Sequence, residues 1–454
     1  MPEISQGLPR AGFGALSLPR TKLALPVLLY MGAVMTPIFI QLGPLNLTLL
    51  RIFLVALVVP LAVRLFQGQY GRIYPTDILF CLYIFWMAVS LAMNNPARVI
   101  ETTGSVGAEF LGGYLIGRAY IRTKADFVAV IRLMALVTAI TLPVAILESQ
   151  TGRSVVIEFV RGLPGLTTYA DVNNPVRMGL ERAQTFFAHP IHYGLFASMG
   201  FTLVYMGLRD VMGTGLRWFY TLAIGTCVFL SLSSGALLSV VMQVGLIAWA
   251  AMFDRVERRW LLLAGLFATA YVAVDLLSDR TPIRVFMSYA TFSPHNAYWR
   301  GIIFEWGMKN VWANPIFGIG LNDWVRPHYM HSGSMDNFWL VTAVRTGIPG
   351  FLPLAVGWGL VLWNVGTRDL GSDDKLLLSL RRAWVITFIG LSFSLATVHV
   401  WTAVYSYAFF LLGAGFWFLN TEPEGAEPGD AAPDPDAPRS PYTRFPAAAA
   451  TTTA

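Results

Sequence analysis

Residues 314–339, "NPIFGIGLNDWVRPHYMHSGSMDNFW", gather Asp323, Trp324, Arg326, His328, His331, Asp336 and Asn337 into one short run. Guanidinium groups clamp phosphate through paired hydrogen bonds. Indole faces pack on sugar rings, and a histidine or aspartate can take a proton from a hydroxyl. Upstream, Arg300 opens a helix-like apolar stretch that ends where Pro315, Gly318 and Gly320 force a turn. A second run, "ERAQTFFAHPIHYG", sets Glu181, Arg182, His189 and His192 around Pro190, which starts another apolar stretch. Taken singly, each histidine has a structural reading, each tryptophan an interfacial one, and Glu181–Arg182 that of a surface ion pair. The clustering of both charge signs with aromatic rings carries the chemical reading.

These runs must be positioned by membrane helices. The 454-residue chain is 55% hydrophobic and only 13% charged, which is the composition of a polytopic membrane protein. Cys81 and Cys227 both lie in apolar runs and define no disulfide framework. A spanning helix needs roughly 20 apolar residues, and that rule gives about twelve spans. They run over Leu23–Leu42, Leu45–Val63, Asp77–Met93, Val99–Gly117, Phe127–Leu147, Ile191–Leu208, Trp218–Leu232, Ala236–Phe253, Trp260–Leu277, Phe338–Val365, Trp384–Trp401 and Val404–Leu419. The expected fold is therefore an all-α polytopic membrane domain over residues 23–420. A short N-terminal segment, 1–22, precedes it, and a Pro/Ala-rich tail, 421–454, is expected to be disordered.

Lysines and arginines fix the orientation. Arg10, Arg20, Lys22, Arg64, Arg72, Arg118, Arg122, Lys124, Arg209, Arg217, Arg255, Arg258, Arg259, Arg368, Lys375, Arg381 and Arg382 all fall on one side if both termini are cytoplasmic. Two long segments, 148–190 and 278–337, then face outward, the larger between spans nine and ten. Their cations are Arg153, Arg161, Arg177, Arg182, Arg280, Arg284, Arg300 and Arg326, with Lys309 as the lysine. Arginine is the choice where planar, bidentate phosphate binding matters; solubilising charge on a long loop is the plainer account.

Arg51, Glu109 and Arg345 fall in the outer halves of spans. An ionised group there costs at least roughly 2.5–3.5 kcal/mol and faces a partner or a cavity. Glu109 paired with Arg51 or Arg345 is the structural account, and a polar cavity open to the outer leaflet is the functional one. The chain carries no Walker loop, dinucleotide fingerprint or Cys/His metal spacing. No metal or cofactor is expected.

These features resemble the O-antigen ligase/Wzy-type polysaccharide polymerase superfamily. Arg300 followed by "PIFGIG" is similar to the family's Arg before Pro-x-x-Gly-x-Gly. Asn337, "FWLVTAVRT" and "GIPG" resemble its His-Asn run before Gly-x-x-Gly. Arg182 with Pro190, and the turn "SLSSGALL", match two further patterns. Departures are Asp336 where the family has histidine, no arginine after Ser233-Ser234-Gly235, no glycine at the usual spacing near Arg182, and a displaced His-Asn pair at His295.

The resemblance implies a glycosyltransferase at the periplasmic face of a bacterial inner membrane, metal-independent and inverting. The donor would be an undecaprenyl-diphosphate-linked oligosaccharide. Arg182 and Arg300 would bind the diphosphate, and Asp336 or His331 would be the base. Arg345, Arg326, Arg51, Trp324 and Asn337 would line the substrate cavity. The reading preferred is polymerisation of exopolysaccharide or O-antigen repeats. Ligation to lipid A core, or a flippase carrying the lipid-linked glycan without chemistry, are the alternatives. The expected partners are the bilayer, a flippase and a chain-length regulator of the same pathway, and no nucleic acid.

Overall fold

Inside a bilayer every backbone polar group must be satisfied within the chain, so long apolar runs fold as helices. The computed structural model describes residues 22–42, 45–170, 176–279, 282, 285 and 294–421. The N-terminal segment to residue 21, Arg280, Arg284 and the tail from residue 422 lie outside the described residues, as does the side chain of His295.

The helices are α1 (Leu25–Val34), α2 (Leu49–Phe66), α3 (Pro75–Asn94), α4 (Val99–Gly107), α5 (Gly113–Tyr120), α6 (Lys124–Thr151), α7 (Val155–Arg161) and α8 (Pro190–Thr202). They continue with α9 (Thr214–Leu230), α10 (Ser234–Met252), α11 (Arg259–Leu277), α12 (Pro294–Ala313), α13 (Phe338–Thr367), α14 (Lys375–Leu395), α15 (Thr402–Ala414) and α16 (Trp417–Asn420). Among the described residues, eight helical stretches are long and apolar enough to cross a membrane: α2, α3, α6, α10, α11, α13, α14 and α15 with α16. Helices α1 and α9 are shorter apolar helices. The protein is an all-α, multi-pass membrane protein.

The first expected span departs from the sequence reading. It is helical only over Leu25–Val34, because Pro37 disfavours helix at Thr36. The chain then forms a two-stranded antiparallel ribbon, β1 (Phe39–Leu42) with β2 (Leu45–Thr48). The second expected span accordingly begins as strand and turns helical at Leu49, where the Thr48 hydroxyl caps the Arg51 amide at 3.0 Å. Two further expected spans contain π turns, Ala108–Gly112 between α4 and α5 and Leu203–Gly207 after α8.

Small residues set the centre of the bundle. An added Cβ at Gly117 would lie 2.1 Å from the Phe410 carbonyl oxygen, and one at Gly413 2.1 Å from that of Tyr114. Such contacts let α5 and α15 approach backbone to backbone, as membrane helices do at small-residue seams. The stretch α15–α16 is the innermost element, 94% buried, whereas α11 contributes no buried residue. Helix α3 runs beside α13, with Gly357 admitting the Phe80 ring. This pair carries the framework of the site at one end.

Candidate active site

Helix α13 is broken inside the bundle. Gly347 takes φ 73°, ψ 178°, a conformation suited to glycine, and the helix restarts beyond it. A break in a membrane helix is tolerated when neighbours satisfy the freed groups. Here the loop Pro315–Gly320 does so. Ile319 N–H donates to the Val344 carbonyl at 2.9 Å, Gly320 N–H to that of Arg345 at 2.9 Å, and Ile348 N–H to that of Pro315 at 2.8 Å. From α3, Ser90 Oγ donates to the Arg345 carbonyl at 3.0 Å and Trp86 Nε1 to that of Thr346 at 3.0 Å. A Cβ at Gly347 would meet the Ile316 carbonyl oxygen at 2.1 Å, and one at Gly318 the Arg345 backbone at 2.5 Å. "PIFGIG" and "GIPG" are therefore two halves of one joint. The joint leaves Arg345 exposed into a cavity although it sits within an apolar helix.

The serine-rich turn between α9 and α10 anchors three guanidinium groups. Arg182 Nε donates to the Ser231 carbonyl at 3.2 Å, Arg177 to that of Leu232 at 2.8 Å, and Arg300 to Ser234 Oγ at 3.1 Å. Arg182 is held in register by its flanks. Glu181 N–H bonds Ser149 O at 2.9 Å, Ala183 N–H bonds Leu230 O at 3.0 Å, and the Glu148 carboxylate accepts from the Gln184 and Thr185 amides at 2.9 and 2.8 Å. Arg177 opens a two-residue turn closed by paired 3.0 Å bonds to Leu180, with Met178 and Gly179 both at positive φ. Arg300 projects from α12.

Arg177, Arg182, Arg300 and Asp336 line one small cavity of about 90 Å3 together with Ser233 and Ser234. Arg177, Arg182 and Asp336 also line an adjoining cavity of about 530 Å3, whose walls include His189, Trp324, Arg345, His399 and Trp401. A third cavity of about 130 Å3 shares Arg345, His399 and Trp401; Tyr83, Met87, Leu91, Val106 and Phe338 make it largely apolar.

Burial lowers the Arg182 guanidinium to about 10, with Arg177 pushing the same way and Asp336 opposing. Burial also lowers Arg300 to about 10, where Asp336 is the larger charge effect and Arg177 the smaller. Both stay cationic at neutral pH. Burial, then Arg182 and Arg177, lower His189 to about 4. Burial, then Arg345, lower His399 to about 3. Both imidazoles are neutral there, and the site's formal charge rests on arginines and Asp336.

Of the residues that the sequence reading assigned to catalysis or substrate binding, Asp336, Arg182, Arg300, Arg345 and Trp324 come together at these cavities, with His189 and Asp323 beside them. Asp336 accepts from Ser334 Oγ at 2.8 Å, and Trp324 Nε1 donates to the Gly333 carbonyl at 3.0 Å. Four others do not line them. His331 is exposed outside the walls. Arg326 is bound to Asp323 at 2.5 Å and to the Met330 carbonyl at 3.0 Å. Arg51 pairs with Glu109 at 2.7 Å, the structural account, since the π turn brings that carboxylate against α2. Asn337 caps α13 through the Leu340 amide at 3.0 Å. Arg177 was named only within the set of outward-facing cations, and His399 and Trp401 not as site residues. The turn at Met178-Gly179 was a usable signal for Arg177, whereas His399 ends an apolar run with nothing local to mark it. Among the described residues, no group of three His, Cys, Asp or Glu side chains could hold a metal ion.

A multi-pass helical membrane protein with a cation-lined cavity beside a broken helix is the class that fold and site define. Residues 219–355 match a family model, Wzy_C, described as O-antigen ligase, and this match supports a likeness to the O-antigen ligase/Wzy-type superfamily over that stretch. The match spans the serine-rich turn, Arg300, Asp336 and the α13 joint; Arg177, Arg182 and His399 lie outside it. It indicates O-antigen ligase/polymerase-type activity, that of a glycosyl-transferring membrane enzyme. No curated protein matches the chain.

Proposed function

We propose that the protein polymerises oligosaccharide repeats carried on undecaprenyl diphosphate, at the periplasmic face of a bacterial inner membrane. The observation that carries this reading is the convergence of Arg177, Arg182 and Arg300 with the Asp336 carboxylate on one cavity. A glycosyl diphosphate leaves with growing negative charge. Fixed guanidinium groups in a water-poor site stabilise that charge without reorganising. The acceptor hydroxyl oxygen forms its bond to the anomeric carbon as the bond from that carbon to the diphosphate oxygen breaks. The hydroxyl proton passes to Asp336, and the electron pair leaves with the diphosphate. A single displacement of this kind inverts the anomeric centre.

Asp336 is preferred to His331 as the base because it lines both arginine cavities while His331 lies exposed outside them. Deletion of the gene tests the reading: single lipid-linked repeats should accumulate and polymer vanish. Long lipid-linked polymer accumulating instead would point to ligation onto an acceptor such as lipid A core. In the proposed orientation, reporters fused at Gly165 and Ser332 are active in the periplasm and those at Asp254 and Asp373 in the cytoplasm. An inside signal at Ser332 contradicts the orientation. Both termini are then cytoplasmic, and a flippase and a chain-length regulator are the pathway partners proposed.

A further inference from the structure

The segment joining α14 to α15 reaches the site from outside the family match. The Val398 carbonyl accepts the Phe338 amide at 3.0 Å, which hangs this segment beside Asp336 and Asn337. His399 and Trp401 follow. The His399 ring lies 6.2 Å from that of Phe338 at 21° and 5.8 Å from that of Trp401 at 26°. Both residues line the 530 Å3 polar cavity and the 130 Å3 apolar one. The Nδ1 of His399 is buried and has no hydrogen-bond partner among the described residues. Trp401 is 39% exposed.

A buried nitrogen without a partner calls for an explanation, and a ligand that supplies the missing bond is one. A neutral imidazole offers one donor and one acceptor. That pairing suits a hydroxyl, which both gives and takes; phosphate oxygens are better served by the arginines. An exposed indole beside it offers an apolar face with a wet edge. Inverting transfer needs the acceptor within reach of both the base and the diphosphate site, and adjoining cavities that share Asp336 allow this. Arg300 and the serine-rich turn line the smaller cavity with Asp336, and His399 with Trp401 line the adjoining one, to which Asp336, Arg177 and Arg182 also belong.

We propose that His399 and Trp401 form the acceptor-sugar subsite, with the sugar ring against the Trp401 indole and one of its hydroxyls hydrogen-bonded to the His399 imidazole. This rests on the reading of the site as a glycosyltransferase. His399 and Trp401 thereby aim the attacking hydroxyl at Asp336, and the choice of acceptor hydroxyl, hence of linkage, is made there.

The test uses purified full-length protein in detergent and two probes. One is undecaprenyl diphosphate. The other is the soluble repeat oligosaccharide released by mild acid from the producing cell's lipid-linked pool. His399→Phe keeps an aromatic ring and removes both nitrogens. It should weaken oligosaccharide binding about tenfold, a change of about 1.4 kcal/mol, and leave undecaprenyl diphosphate binding unchanged. Trp401→Ala should do the same, and Arg300→Ala the reverse. Wild-type affinity for the oligosaccharide in His399→Phe overturns the subsite. So does equal loss of both probes, or wild-type protein that does not bind the oligosaccharide. Transfer from a lipid-linked repeat by the wild-type protein is measured separately. Intact oligosaccharide binding without transfer would sink the proposed function and leave His399 and Trp401 as a sugar-binding site with no acceptor role.

Discussion

Arg118 and Arg300 are both largely buried guanidinium groups, at opposite ends of the framework that α3 provides. Near the start of α3, Arg118 lies 3.6 Å from the Asp77 carboxylate, and donates to the Arg72 and Tyr70 carbonyls at 2.6 and 3.3 Å. Its charge centre sits 4.4 Å over the Phe416 ring. Asp77 in turn accepts from the Tyr114 hydroxyl at 2.5 Å and the Tyr74 amide at 2.7 Å. Opposite charges meet one to one, and none of the three cavities at the site touches them. At the far end of α3, three guanidinium groups face one carboxylate across open volume. The first arrangement is closed and serves packing. The second carries an excess of positive charge in space that an anion can fill.

The two ends should respond differently to loss of an arginine. Breaking a buried pair by removing one partner costs about 3–5 kcal/mol, because the other charge is left unpaired. Arg118→Ala should therefore lower thermal stability and yield in detergent sharply. Removal of Arg300 leaves Asp336 among two remaining arginines, and the protein should insert with near wild-type stability. An Arg118→Ala protein as stable as wild type would erase the contrast.

At the far end the effects should appear in rate. Asp336→Asn keeps the shape and loses the proton acceptor, and transfer should fall about 10²–10⁴-fold. Asp336→His, the residue the family carries there, should retain part of the activity, and His331→Ala most of it. Arg300→Ala and Arg182→Ala should each lower kcat by about 10²–10³, the usual loss for one preorganised donor. Lysine should rescue either poorly, since it lacks the planar fork. Full activity in Asp336→Asn would leave the mechanism without a base.

The contrast also explains what could be read beforehand. Apolar runs dictate helices, so each of the twelve expected spans contains helix, although the ribbon at Phe39–Thr48 and the two π turns needed tertiary context. Arg182, Arg300, Asp336 and Arg345 stood out because charge beside or within an apolar run is costly without a purpose. Arg51 stood out equally and proved to be paired with Glu109, a contact between α2 and the π turn that spacing does not encode. His399 was silent for the opposite reason. An imidazole at the end of an apolar run looks the same whether it packs or binds, and only the fold of α14–α15 against Phe338 brings it to Asp336.

Between these ends lies the α13 joint. Gly347→Ala places a Cβ against the Ile316 carbonyl and forces alanine into a region of φ/ψ space almost confined to glycine. Such strain costs about 1–3 kcal/mol. The variant should melt lower and lose transfer, since Arg345 and the Pro315–Gly320 loop shift together. Gly359→Ala, where an added Cβ meets nothing within 4 Å, is the matched control and should be nearly silent. Equal behaviour of the two would remove the joint from the account.

The smallest expected effect is one of pH, and its sign separates the two ends again. His189 and His399 have folded pKa values lowered from 6.5 to about 4 and about 3, chiefly by burial. A group whose folded pKa is depressed contributes stability that is complete above its unfolded value and is lost as pH falls toward the folded one. Melting temperature in detergent should thus be flat above about pH 7 and decline by a few degrees between pH 6.5 and pH 4. The Asp77–Tyr114–Arg118 end holds no histidine, so the acid decline assigned to His189 and His399 should persist in Arg118→Ala on a lower curve. His189→Asn combined with His399→Phe should flatten the acid decline while leaving Asp77 and Arg118 paired. A double variant as acid-sensitive as wild type would show that the decline arises elsewhere. In that case the cost of charging those two buried imidazoles would not set the acid limit of the fold.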